Sequence, residues 1–285
     1  MSRIAYVNGR YLPHRFARVH IEDRGFQFAD AVYEVIAIAG GRFVDEARHL
    51  ERLKRSLGEV GIAPPMSEAA LRLVLRETVR RNGVADGIVY LQVTRGAARR
   101  DFAFPKAVRP SLVVTARHQK IMDPARTRRG ISVIMLPDQR WRRPDIKSVA
   151  LLPNVMAKQR AAEAGAGEAW QVDTDGNITE GTSSNAWIVT AEGELVTRQA
   201  DTNILNGVTR RGLVDILARE GVRLVERSFS VAEAKAAREA FITSATNGVM
   251  PVVVIDGTPV GAGRPGPVSL KLAAAYRDFM RGQSS

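Results

Sequence analysis

Arg140-Trp-Arg-Arg-Pro-Asp-Ile-Lys147-Ser148 and, further along, Ile178-Thr-Glu180-Gly-Thr-Ser-Ser-Asn185 are the two runs on which the reading of this chain turns. They pair a lysine suited to forming an imine with a cofactor aldehyde with a carboxylate suited to controlling that cofactor's ring. A protonated lysine is a poor nucleophile, but burial or a nearby cation lowers its pKa enough for such chemistry near neutrality. Arg142 and Arg143 are such neighbours in sequence. A solvated lysine at a strand end is the commonplace alternative, and Lys147 by itself does not decide between the two.

The bulk properties narrow the field. With 285 residues, 45% hydrophobic and 25% charged, the chain can bury a substantial core and is long enough for two domains. No apolar stretch approaches the ~20 residues of a membrane span. The N-terminal residues lack the apolar core and cleavage site of a secretory signal, and there is no cysteine. A cytoplasmic protein without disulfides or thiolate metal sites is therefore expected. The formal charge of +12 raises the question of nucleic acid, but the basic residues are mostly arginines spread along the chain. No zinc-finger spacing, RNA-stacking motif or long basic tail accompanies them, so neither nucleic acid nor membrane is expected as a partner. His14, His20, His49 and His118 are scattered, and no metal site is expected. Ser183 and Ser184 lie outside a nucleophile-elbow motif, and the dinucleotide-binding glycine fingerprint is absent.

The periodicities predict a chain that mixes strands and helices, in the α/β or α+β class. Ile4–Val7 and Arg10–Leu12 form a hairpin about Asn8-Gly9, and 30–39 reads as a strand. Leu50, Leu53, Leu57 and Val60 mark an amphipathic helix, and Ser67 caps a second one that Asn82-Gly83 stops. Ile88–Thr94 and Ser111–Ala116 are strands. The apolar period then lapses, which places a domain over 1–118, a connection over 119–128 and a larger domain over 129–285 carrying Lys147. That second part has strands at 131–136, 168–173, 186–189, 240–243 and 252–255, and helices near 154–164, 209–220, 231–236 and 267–281.

Three further places could meet an anion. The helix starting at Gly207-Val208-Thr209 offers unpaired N–H groups to a phosphate, although a simple capped helix reads the same way. Thr243-Ser-Ala-Thr-Asn-Gly248 is rich in hydroxyls, or is merely a polar turn. Arg52 can bind phosphate bidentately, although helix arginines usually face solvent. Glu180 follows the turn at 173–177 and precedes small polar residues that let a flat ring approach; an exposed turn glutamate is the alternative.

Taken in order, these pieces resemble the class IV, or fold type IV, pyridoxal phosphate aminotransferases, and within them the D-amino acid group. Glu22–Val35, Leu91–Gly96, Asp145–Ser148, Thr179–Asn185 and Gly207–Arg210 are similar to five successive family blocks. The resemblance spans nearly the whole chain and implies a two-domain fold with the active site between the domains. It implies that pyridoxal 5'-phosphate is bound to Lys147, which also moves the substrate proton, and that Glu180 pairs with the pyridine nitrogen. It implies phosphate contacts from Arg52, the N–H groups of Val208 and Thr209, and the Ser244–Ala245–Thr246 turn, where the family tends to have a hydroxyl at Ala245. Leu205 is implied to pack on the ring face.

The implied reaction is ping-pong transfer of an amino group from a D-amino acid such as D-alanine to 2-oxoglutarate or pyruvate, in a homodimer whose sites the neighbouring subunit completes. For the substrate carboxylate the resemblance implies Tyr33 and Arg100, with Arg99 beside it. Phe102 stands where a histidine is expected. Loss of that donor costs about 1–3 kcal/mol if the contact is buried and charge-assisted, and suggests weaker carboxylate selection with some activity on (R)-primary amines. Branched-chain aminotransferase and aminodeoxychorismate lyase are alternatives on the same scaffold, the first disfavoured by Val32-Tyr33-Glu34-Val35. A basic binding protein on a degenerate aminotransferase scaffold is the alternative without catalysis.

Overall fold

A computed structural model describes residues 3–282, which divide into two compact units. The first comprises residues up to Lys120 together with Ile146–Ala150, and the second comprises Ile121–Asp145 and the residues from Leu151 onward.

The first unit is built from β1 (Ile4–Val7), β2 (Arg10–Pro13), α1 (Arg24–Phe28), β3 (Ala31–Ala39), β4 (Arg42–Phe43), α2 (Glu46–Glu59), α3 (Glu68–Asn82), β5 (Gly87–Thr94) and β6 (Ser111–His118). Its strands form one antiparallel sheet in the order β2-β1-β6-β5-β3-β4. Successive strand residues face opposite sides, so Val32, Ile36 and Ile38 point to one face. They meet Leu50, Leu53 and Leu57 of α2 and Leu71, Leu75 and Val79 of α3 in a single core. The Ser67 hydroxyl accepts from the Ala70 N–H and starts α3, and Gly83 ends it in the left-handed conformation. Both ends are those expected from sequence.

The second unit contains α4 (Pro124–Arg129), β7 (Ile131–Pro137), α5 (Leu152–Glu163), β8 (Glu168–Val172), β9 (Ile178–Gly181), β10 (Asn185–Val189), β11 (Leu195–Thr197), α6 (Val208–Arg219), β12 (Leu224–Glu226), α7 (Val231–Ala236), β13 (Glu239–Ser244), β14 (Gly248–Ile255), β15 (Thr258–Pro259) and α8 (Pro267–Gly282). Among the described residues its sheet is mixed and runs β12-β11-β10-β13-β14-β7-β8-β9, with β15 paired to β14. Trp170, Ile188, Ile242 and Met250 lie at the centre of its core.

Two expectations change here. The stretch expected as a connection folds in part into α4, because Asp123 accepts from the Ala125 N–H and Pro124 supplies a helix-compatible first residue. Lys147, expected in the second domain, groups with the first unit instead. The reason is backbone pairing: the Tyr33 N–H donates to Lys147 O at 3.0 Å, the Val149 N–H donates to Ala31 O at 3.0 Å, and Ser148 bridges Val32. Five residues thus lie along β3 although the chain on either side belongs to the second unit.

Candidate active site

In the first unit the lysine stands beside a buried polar cluster. Its Nζ lies 4.4 Å from the centre of the Tyr33 ring, and its own N–H faces the Ser56 hydroxyl at 3.4 Å. Ser56 belongs to a stripe on α2, His49-Arg52-Ser56, whose spacing puts all three on one helix face beside the apolar stripe Leu50-Leu53-Leu57. All of the first stripe is buried, and it faces Glu34 on β3, which is 0% exposed. Arg52 donates to both Glu34 oxygens, from Nε and Nη2, each at 2.8 Å. His49 Nδ1 lies 2.7 Å from Glu34 Oε2.

The electrostatics fix the protonation of this cluster. Burial raises the Glu34 carboxyl, but the charge and hydrogen bonds of Arg52 and the His49 contact outweigh it and bring the pKa to about 2. Glu34 is therefore an anion across the working range. Burial lowers the His49 imidazole, and the Arg52 and Lys147 charges act in the same direction against the pull of Glu34. A neutral His49 beside an ionised carboxylate must carry its proton on Nδ1 and donate it, which leaves Nε2 as an acceptor. The Tyr33 ring lies 5.7 Å from Tyr90, whose hydroxyl is pushed up to about 12, chiefly by burial and then by Tyr33.

The cations expected to act on Lys147 were Arg142 and Arg143. Arg143 is instead neutralised by Asp145, with contacts of 2.9 and 3.0 Å. Within its own unit the Lys147 charge acts on the His49 imidazole, which belongs to the Glu34–Arg52 cluster.

Glu180, which follows the turn at 173–177, lies in β9, is buried rather than an exposed turn residue, and sits inside a network of its own. Arg140 Nη1 donates to its Oε1, the Leu205 N–H donates to the same oxygen at 3.1 Å, and Asn185 Nδ2 donates to Oε2 at 3.0 Å. Arg140 also holds Asp138 through Nε at 3.0 Å and Nη2 at 2.6 Å, and Thr179 donates to Asp138 at 2.8 Å. Burial opposes the Arg140 charge, but the two carboxylates prevail and raise its pKa, while burial of Asp138 is likewise overcome by Arg140, which lowers that carboxyl. Asn185 Nδ2 further donates to Leu205 O at 2.9 Å, so the Leu205 main chain is pinned on both sides.

Next along the chain, Gly207 caps α6 without a side-chain bond. A Cβ there would collide with Asn185 Oδ1, so the glycine lets the helix start approach the Glu180 network. The first helical residues, Val208 and Thr209, are buried. In the turn between β13 and β14, Ser244 Oγ accepts from the Asn247 N–H at 3.3 Å and from its Nδ2 at 3.1 Å, which leaves the hydroxyl proton to donate. Ala245 and Thr246 follow it, half-buried. Arg126 Nη1 reaches Asn247 Oδ1 at 3.2 Å.

The segment carrying the expected carboxylate contacts is exposed. Phe102 is 80% accessible and packs on Phe28 at 5.5 Å between ring centres. The Arg100 guanidinium lies 4.9 Å from the Phe28 ring and 5.7 Å from the Phe102 ring. Arg99 beside it is exposed.

The structure therefore brings Lys147, Tyr33 and Arg52 together in one unit and Glu180 with Leu205 in the other. Sequence reasoning missed Glu34, His49 and Arg140. A polar stripe at helical spacing next to the apolar one was the available signal for His49 and Arg52, and an acidic residue on the inward side of a strand was the signal for Glu34.

Comparison with known proteins gives the context. Residues 31–255 match the amino-transferase class IV family. The chain is 41% identical over 279 residues to a D-alanine aminotransferase of Bacillus licheniformis, covering 98% of this chain and 97% of that one. It is 36% identical over 282 residues to a D-alanine aminotransferase of Staphylococcus haemolyticus, covering 98% and 99%. Among solved structures it resembles the Escherichia coli branched-chain amino acid aminotransferase, with a TM-score of 0.90 at 20% identity over 98% of this chain and 95% of that one. A PLP-bound hypothetical aminotransferase of Mycobacterium tuberculosis gives 0.83 at 22% identity, covering 98% and 99%. With a family match over most of its length and full-length relatives above one-third identity, the chain belongs to the class IV aminotransferases.

Proposed function

We propose that this protein is a pyridoxal phosphate-dependent aminotransferase that takes the amino group of D-amino acids such as D-alanine and passes it to 2-oxoglutarate or pyruvate in a ping-pong cycle. The observation that carries this is the near full-length identity with D-alanine aminotransferases, joined to a lysine held against Tyr33 beside a buried Glu34–Arg52 ion pair. Two branched-chain enzymes are alike in fold at 20% and 23% identity, a level that speaks to fold alone.

The donor set of each unit fits the cofactor. The first offers an amine and a guanidinium oriented by Glu34; the second offers a carboxylate, a helix start without a side-chain cap and a hydroxyl turn. Pyridoxal phosphate supplies an electron sink that stabilises negative charge at the substrate Cα. Lys147 is the residue that anchors the cofactor and whose Nζ accepts and returns the proton of the substrate Cα. Glu180 pairs with the pyridine nitrogen, and Arg140, Asn185 and the Leu205 N–H hold that carboxylate in place. Arg52, the N–H groups of Val208 and Thr209, and the turn from Ser244 through Ala245 to Thr246 hold the phosphate. Leu205 covers a ring face.

Tyr33 and Arg100, with Arg99 nearby, receive the substrate carboxylate, and Phe102 offers it no hydrogen bond. Activity on (R)-primary amines follows as a side reaction. Phe16, Ile21, Phe26 and Phe104 are exposed apolar residues of the first unit, and their covering in a homodimer is part of this reading, as is a cytoplasmic location. No helix among the described residues is long and apolar enough to cross a membrane. Steady-state rates with D-amino acids, L-branched-chain amino acids and (R)-1-phenylethylamine, each with 2-oxoglutarate, test the proposal. D-alanine is expected to be the best donor, and a preference for L-leucine or L-valine would overturn it.

A further inference from the structure

Arg24 is a charged residue that the family reading leaves without a task, yet it is only 3% exposed. Its surroundings explain why it stays inside. Asp23 caps α1 by accepting from the Gly25 N–H at 2.9 Å, and its other oxygen accepts from Thr94 Oγ1 at 3.0 Å. That cap fixes Arg24 at the first helical position, where its own N–H donates to Gly96 O at 2.9 Å. The side chain then turns to two partners. Nε donates to Asp30 Oδ2 at 2.8 Å. Nη1 donates to Asp101 O at 2.5 Å, with longer contacts of 3.4 Å from Nη1 to Ala103 O and from Nη2 to Phe102 O.

Asp30 is itself held from the other side. Arg95 donates to it through Nε at 2.7 Å and Nη2 at 3.0 Å, and also donates to Val60 O and Gly61 O at 2.7 Å each. The Arg95 guanidinium lies 3.5 Å from the centre of the Phe104 ring. The segment 97–104 is thus fastened at both ends. It leaves β5 through Gly96, whose φ of 109° and contact with the Arg109 carbonyl admit no side chain, and it ends with Phe104 on Arg95. Between these points Arg24 meets three successive carbonyls.

We propose that Arg24 is a positioning residue for this segment: its buried guanidinium, aligned by Asp30, holds the carbonyls of Asp101, Phe102 and Ala103 and so sets where Arg100 and Phe102 stand. A planar fork with fixed N–H directions reaches a carboxylate and a run of carbonyls at once, which the single ammonium of a lysine does not. Phe28, on the same short helix, is the shelf for both loop side chains, so one capped turn supplies the clamp and the surface. The consequence for substrate rests on the proposed role of Arg100 as the carboxylate contact.

The holoenzymes of wild type, Arg24→Lys, Arg24→Gln and Arg100→Ala are to be compared by trypsin cleavage after Arg99 and Arg100, mapped by mass, and by steady-state kinetics with D-alanine. In both Arg24 variants the loop is expected to be cut roughly tenfold faster, with KM raised about tenfold or more, kcat changed far less and the cofactor absorbance intact. A general loss of structure would instead lower the absorbance and kcat with KM. Unchanged cleavage overturns the clamp. Faster cleavage with an unchanged KM overturns the link to substrate, and Arg100→Ala then separates the causes. If that variant raises KM, only the clamp's effect on substrate is wrong; if it does not, the carboxylate reading of Arg100 has failed. Should the Arg24 variants not fold, amide exchange in the wild type decides. The Ala98 and Ala103 amides are expected to exchange at least about tenfold more slowly than those of Lys106 and Ala107, and equal rates overturn the proposal.

Discussion

Glu34→Gln tests the electrostatics of the lysine's neighbourhood, because it removes one charge from a fully buried cluster while keeping its shape. The carboxyl has a folded value of about 2 against 4.5 when unperturbed. A folded value below the unfolded one means that the stabilisation is complete above the unfolded value and is lost as pH falls towards the folded one. For that pair of values the loss between pH 7 and pH 3 is about 2 kcal/mol, with roughly 1 kcal/mol more to follow below pH 3. His49 also has a lowered value and loses stability in the same direction below its unfolded value, so both proteins should carry His49→Gln to remove that titration. At pH 7 the substitution is expected to cost about 3–5 kcal/mol, since the Arg52 guanidinium is left buried without its counter-charge. Urea unfolding at pH 7 and pH 3 should then show the gap between the two proteins narrowing by about 2 kcal/mol at the lower pH. A gap that is the same at both pH values would show that Glu34 is not held as an anion by Arg52, and the assignment of Arg52 as a pre-oriented phosphate contact would go with it.

Other outcomes follow from the same geometry. Arg140→Met strands Asp138 and Glu180 together and should cost about 3–5 kcal/mol of stability, with a fall in kcat larger than any change in KM; unfolding and steady-state kinetics check both. Gly207→Ala forces a Cβ onto Asn185 Oδ1 and should cost roughly 1–3 kcal/mol and weaken pyridoxal phosphate retention in equilibrium dialysis. Phe102→His restores a donor beside Arg100 and should lower KM for D-alanine by about tenfold, while an unchanged KM would mean that the residue at 102 does not meet the carboxylate. Lys147→Ala should abolish the absorbance of lysine-bound pyridoxal phosphate, expected at roughly 410–430 nm, along with transamination.

Where a residue's neighbours in sequence are also its neighbours in space, the chain could be read directly. The hairpin at Asn8-Gly9, the Ser67-capped helix and the leucine stripe of α2 all stand within a residue or two of their expected places. β14 is instructive as a near miss. Pro251 argues against a strand interior, yet β14 begins at Gly248; its pairing with β7 starts only at Val252, so the proline lies outside that ladder. β9 escaped because four residues with a single aliphatic side chain carry no readable period.

Charged clusters were the least legible part. Glu34 faces α2 across the sheet–helix interface, and Arg140 reaches Glu180 over 40 positions of sequence; neither pairing has a local signature. Lys147 was singled out from motif order, but its company was not, because a five-residue segment joins the first unit by pairing with a strand more than a hundred residues earlier.

The most direct measurement is a single turnover. Holoenzyme mixed with D-alanine and no 2-oxo acid should lose its visible absorbance and release one pyruvate per site, while L-alanine and L-leucine leave the absorbance unchanged over the same time. Bleaching by the L-amino acids and not by D-alanine would contradict the assignment.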